Sequence, residues 1–191
     1  MKMKFNGFLA VALAASVMSF YSCKPKVAGL DTGDFKEVKI PCTEQGYSDA
    51  MSFRASGSGT STNMATSKDK ALLSAKTRLA GLIESTIKAV TEQYTNEIDV
   101  GDKQEFEQSF EQMVRDVTKR TLVEVAITCE KSGTNSKNQW VTYLALEVSK
   151  DAIYNGVNNG IKKDQKLQLK YDQMKFKEKF DEEMEKMERQ D

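Results

Sequence analysis

Few residues in this chain could do chemistry, and each group suggests a different reaction. Gly57 and Gly59 stand in the stretch RASGSGTSTNM, just ahead of a long run with helical spacing. Glycines beside serines and threonines at a helix start can cradle phosphate, because bare backbone N–H groups point at the anion. Cys42 and Cys129 could pair as a disulfide, and Cys23 follows an apolar leader. Glu182, Glu183, Glu185 and Glu188 crowd one stretch, and Asp99 and Asp102 flank Gly101, so acid–base and cation chemistry must be weighed.

Spacing removes most of these options. A P-loop needs GxxxxGK[ST], but Lys68 comes nine residues after Gly59. A dinucleotide loop needs a third glycine and an acidic residue on a second parallel strand, and only Asn63 and Met64 follow here. The glycines are therefore expected to allow a tight strand-to-helix turn and close packing. The glutamates interleave with Lys179, Lys186 and Arg189, the pattern of a solvated helix face. No calcium-loop pattern surrounds Gly101. The chain has no histidine, which excludes Ser-His-Asp and Cys-His catalysis and His-containing zinc sites. Its 28 basic and 28 acidic side chains balance, and no basic patch carries interleaved aromatics, so no nucleic acid partner is expected. No catalytic residue, metal ligand or cofactor is expected either.

The leader is more informative. Residues 1–22 begin with Lys2 and Lys4 and continue through an apolar run from Phe8 to Phe20. That run is short for a permanent membrane span and reads as a secretory signal. Cys23 follows the small residue Ser22, an arrangement that resembles a bacterial lipobox. The resemblance implies cleavage before Cys23 and acylation of the new N-terminus, with membrane lipid as the first partner. Phe20 and Tyr21 are bulkier than the usual residues there, as is tolerated in Bacteroidota-type lipoproteins. The next residues, Lys24-Pro25-Lys26-Val27, lack the acidic cluster of surface-exported relatives, so a periplasm-facing, outer-membrane position is expected. A plain secretory signal with Cys23 as a spare thiol is the simpler alternative. Residues 23–36 mix proline, glycine and charge and read as a tether.

Export would place Cys42 and Cys129 in an oxidising compartment. Residues 38–42 alternate like an edge strand, with Pro41 excluding a central position. Cys129 shares its parity with Val123, Val125 and Ile127, which points it inward. A Cys42–Cys129 bridge is expected, with two buried thiols as the alternative.

These residues need elements to position them. Residues 51–57 alternate, with Met51, Phe53 and Ala55 on one face, and predict a strand; 58–62 read as the turn after it. Thr62 or Asn63 can cap a helix over about 64–94, whose apolar residues recur in steps of three and four. A second helix is predicted over 103–120, a strand over 122–130, a polar hairpin loop over 131–138 and a strand over 140–148. Leu144, Leu146 and Val148 should face the core. Beyond Asp151, Gly156 and Gly160 are expected to divide a short helix from a long charged one. That tail carries a narrow stripe of Leu169, Phe176, Phe180, Met184 and Met187.

The stretch from Arg54 to Ala80 resembles the small bacterial lipoprotein family named Lpp-twenty, related to the amino-terminal domain of flagellar assembly protein T. Gly57, Gly59, Ser61, Ala71, Ala75, Leu79 and Ala80 carry the likeness, while Ser67 departs from the first alanine of the series. The resemblance covers roughly residues 42–150. It implies an α+β domain with helices on one face of an antiparallel sheet, and it implies no activity.

The expected architecture is thus α+β in the order β-α-α-β-β-α. It comprises a signal peptide (1–22), a tether (23–36), an α+β domain (37–150) and a helical tail (151–191). The expected role is a non-enzymatic, membrane-anchored envelope component. Phe176, Phe180, Met184 and Met187 are the first candidates for an envelope-protein contact, unless the stripe covers the domain's own sheet. A small-ligand or lipid-binding module, needing an apolar pocket between helix and sheet, is the main rival. An enzyme, needing a cleft with converging polar groups, is the other.

Overall fold

The structure, a computed structural model, describes residues 38–188. The leader, Cys23 and the tether lie outside the described residues. Three strands form an antiparallel sheet in the order β1-β3-β2: β1 (Ser52–Ser61), β2 (Ala126–Thr134) and β3 (Trp140–Ser149). The helices are α1 (Met64–Glu97), α2 (Lys103–Thr121), α3 (Lys150–Ile161), the short α4 (Gln165–Gln168) and α5 (Gln173–Glu188). The α+β order expected from the sequence is the order observed.

Helix α1 organises the domain. Asn63 Oδ1 accepts the Thr66 N–H at 3.1 Å and starts the helix. Ser67, Ala71, Ala75, Leu79, Ile83, Ile87, Val90 and Tyr94 then form one buried line in steps of three and four. At 1.5 Å per residue the helix is about 51 Å long. It exceeds the sheet it crosses, so its two halves do different work. The first half lies on β1 and β3, facing Phe53, Ala55, Gly57 and Gly59 on one strand and Thr142, Leu144, Leu146 and Val148 on the other. The second half packs against α2 and α5. There Tyr94, Phe106, Phe110 and Phe176 form an aromatic chain with centroids 5.3–6.2 Å apart.

The stripe expected to meet a partner is core instead. Phe176 is 1% exposed, and Phe180 and Met184 are fully buried. Phe180 lies 6.3 Å from the Phe53 ring of β1 and 5.9 Å from the Tyr154 ring of α3. Met187 packs, partly buried, against the same core. Helix α5 closes over the end of the sheet and the second half of α1, so residues 151–188 complete the domain. Leu169 does not join its stripe: it points into solvent, 88% exposed, from the α4–α5 connection.

Other boundaries shift for identifiable reasons. Strand β1 continues to Ser61, so the expected turn at 58–62 shrinks to its last residues. Residues 38–42 form no strand; a 3-10 turn at Glu44–Gly46 follows them, and Cys42 has φ 62°. Leu122, Val123 and Glu124 donate back to Thr118, Arg120 and Thr121 and finish α2, which delays β2 to Ala126. Helix α3 runs through Gly156 and Gly160, which lie against Val117 and Met113 of α2. A bulge between Ile127 and Cys129 changes the parity of β2: Ile127 pairs with Leu146 on the helix side, and Cys129 pairs with Ala145 on the opposite side. Cys129 therefore does not share the face of Ile127.

Candidate functional site

The glycine stretch resolves into packing. A Cβ at Gly57 would stand 2.7 Å from the Ala71 carbonyl oxygen and 2.9 Å from the Ala75 Cα. A Cβ at Gly59 would stand 2.6 Å from the Ala71 nitrogen and closer still to the Ser67 carbonyl oxygen. Those atoms are α1 backbone, so no space for a phosphate exists over these glycines. Neither glycine has a positive φ; the turn itself does not use them. Polar groups at this contact satisfy one another. Ser67 Oγ donates to the Gly59 carbonyl at 2.9 Å and lies 2.9 Å from Thr142 Oγ1, and Ser132 Oγ is 3.0 Å from the same hydroxyl. Because the helix and sheet touch through backbone here, the apolar pocket needed between them by a ligand-binding module does not form at this contact.

A groove opens elsewhere, between the second half of α1 and α2, with a volume of about 550 Å³. Ile87, Phe110 and Val114 form its floor, each nearly or fully buried. Glu84, Lys88 and Glu92 line one bank; Glu107, Glu111 and Arg115 line the other. Arg115 bridges Glu111 at 2.7 Å within its own helix, whereas no bridge joins the two banks. Gly81 sits at one end, and a Cβ there would meet nothing within 4 Å. The groove supplies an apolar floor with charged rims, the chemistry of a contact surface. Its two hydroxyls, Ser85 Oγ and Thr91 Oγ1, donate to the Leu82 and Ile87 carbonyls of their own helix at 3.0 and 2.8 Å. Among the described residues no cluster of three His, Cys, Asp or Glu side chains could hold a metal ion.

The second face of the sheet carries the cysteine pair. Cys42 and Cys129 form a disulfide, with Cα atoms 5.5 Å apart and a separation of 87 positions in sequence. Closing a loop of that length stabilises the fold by roughly 4–5 kcal/mol in the chain-entropy account. Near the end of the same segment, Asp49 pairs with Arg54, whose Nε donates to Glu147 Oε2 at 2.5 Å. Asp49 Oδ1 also accepts the Met51 and Ser52 N–H groups at 2.8 Å each. Burial pushes the Asp49 carboxyl up, but the Arg54 guanidinium and the two backbone donors outweigh it and hold it below the ordinary range. On the other side of the domain, burial likewise pushes Asp181 up. Lys150 and Lys177 outweigh it, the first at 2.8 Å from Oδ1 and the second at 2.7 Å from Oδ2.

The structure thus joins Cys42 to Cys129 as expected and removes Phe176, Phe180, Met184 and Met187 from the solvent-facing candidates. Cys23 lies outside the described residues. The groove was missed at the sequence level. No residue type marks it, because its width is set by the spacing between α1 and α2. Among the described residues no helix is long and apolar enough to cross a membrane. Comparison of the chain with protein-family models, with curated proteins and with solved structures gives no match.

Proposed function

We propose that this chain is an exported lipoprotein, acylated on Cys23 and held at the periplasmic face of the outer membrane, where it acts through a protein contact and not as an enzyme. The observation that carries the reading is the leader itself: two lysines, an apolar run, a small residue and then cysteine. The Cys42–Cys129 disulfide supports it independently, because such bridges persist in oxidising compartments. The likeness of Gly57 to Ala80 to the Lpp-twenty lipoproteins agrees with it. Several acyl chains on one residue, each buried methylene contributing about 0.8 kcal/mol, suffice for stable anchoring without a membrane-spanning helix.

With the α5 stripe in the core, the α1–α2 groove becomes the contact surface of this reading. A second reading, a module for a small amphiphilic ligand, draws on the same groove, whose volume falls in the range of ligand sites. Fractionation of cells expressing the chain tests the anchor. The wild type should sediment with membranes, and Cys23→Ala should appear in the soluble fraction or remain as uncleaved precursor. Equal membrane association and equal processing of both would sink the proposal.

A further inference from the structure

The rung at the centre of the sheet has an unusual cover. Ser56 of β1, Ala145 of β3 and Cys129 of β2 are register partners in one row across the three strands. Ala145 points away from α1, on the face no helix covers, and is nevertheless fully buried. Its cover is the segment ahead of β1. Cys42 is bonded to Cys129 at one end of the rung. Gly46 lies over Ser56 at the other, so close that a Cβ on it would stand 2.7 Å from the Ser56 Cβ. Residues 42–46 therefore cross the sheet at right angles to its strands. Strands lie about 4.8 Å apart, so the crossing spans nearly 10 Å, which a short 3-10 turn reaches.

The two ends of this strap are held differently. At the β1 end, Ser48 Oγ accepts the Arg54 N–H at 2.8 Å and donates to the Arg54 carbonyl at 3.1 Å, and Asp49 adds its pair with Arg54 and its two backbone acceptor bonds. At the β2 end, the disulfide is the connection. Cys42 Sγ also approaches the Tyr143 carbonyl, at 3.7 Å. The strap's internal bonds, Gly46 N–H to the Thr43 carbonyl and Lys39 to Glu44, do not reach the sheet. Cys42 sits in the left-handed region, unfavourable for a residue with a Cβ, so the bridge holds a backbone that would otherwise relax.

We propose that the Cys42–Cys129 bridge is a redox-operated latch on this strap: reduction frees the β2 end, the strap swings on its Ser48–Asp49 hinge, and the central rung of the sheet is uncovered while the helical core stays folded. The reductant is a dithiol. Its thiolate attacks Cys129 Sγ, the more exposed of the pair, the S–S bond breaks, and Cys42 leaves as a thiolate that takes up a proton. The second thiol of the reductant then closes on the first, releasing Cys129 as a thiol. Two electrons pass to the protein, and the reductant ends as a disulfide.

Hydrogen exchange on the full chain tests the latch in three states: oxidised, reduced with dithiothreitol, and the Cys42→Ser/Cys129→Ser variant. Opening should speed exchange at residues 42–49 at least tenfold in the second and third states, while α1 and β3, which exchange through unfolding of the whole domain, stay far better protected than the strap. Strap exchange that does not change on reduction overturns the proposal, because the segment then stays docked without its bond. Exchange in α1 and β3 that rises to match the strap's overturns it equally, because the segment then opens only when the whole fold does. The variant guards against incomplete reduction, and none of these outcomes depends on acylation of Cys23.

Discussion

Replacing Gly59 by alanine adds a single methyl group at the place where α1 comes nearest the sheet. The new Cβ would stand 2.6 Å from the Ala71 nitrogen and closer to the Ser67 carbonyl oxygen, about an ångström inside normal contact. Lys70 Cβ, also at 2.6 Å, adds a third obstacle. A flexible side-chain tip could yield, but helix backbone can yield only if α1 lifts. Lifting α1 would open the buried Ser67–Thr142 pair and loosen Ala71, Ala75 and Leu79, all fully buried. Overpacking of a tight core costs about 1–3 kcal/mol, and contact with backbone places this case at the upper end, near 3 kcal/mol. For a domain of this size that lowers the melting temperature by roughly 6–12 °C. Gly81→Ala is the internal control. It sits in the same helix system with nothing within 4 Å, so helix propensity alone should stabilise by about 1 kcal/mol. Urea denaturation followed by circular dichroism measures both. A Gly59→Ala variant within about 0.5 kcal/mol of wild type would refute the close-packing account and reopen the space above the glycines.

The other predictions separate core from surface and charge from packing. Phe180→Ala should cost about 4 kcal/mol, because the ring is fully buried between Phe53 and Tyr154, whereas Leu169→Ala, on the same sequence stripe, should change stability by less than about 0.5 kcal/mol in thermal melts. Asp181 and Asp49 both have folded pKa values below their unfolded ones, so their contribution is present above about pH 4 and is lost as pH falls through the folded values. Asp181→Asn should therefore cost about 1 kcal/mol at pH 7, a modest figure for a partly exposed pair, and the difference from wild type should shrink steadily as pH falls below about 4 in urea titrations.

Much of the fold could be read from periodicity. The buried line of α1 follows its apolar spacing from Ala71 to Tyr94, and Leu144, Leu146 and Val148 face the core as their alternation implies. What could not be read is where a pattern has two physical solutions. A serine-, threonine- and glycine-rich run such as 57–61 suits a turn, but it also suits a strand pressed against a helix, because both need small side chains. The stripe of Phe176, Phe180 and Met184 looks the same whether it covers its own domain or a partner, since an amphipathic helix records only that one face is buried. The bulge that turns Cys129 away from Ile127 leaves no mark in residue type, yet it decides which face of the sheet the disulfide strap crosses. The α1–α2 groove arises from the spacing between helices, which single-sequence pattern does not encode.

The mass of the chain's own N-terminus bears most directly on the account as a whole. Protein extracted from membranes and analysed intact should begin at Cys23 and carry the added mass of its acyl chains and glyceryl linkage. A chain that keeps Met1, or begins at Cys23 with an unmodified thiol, would contradict it.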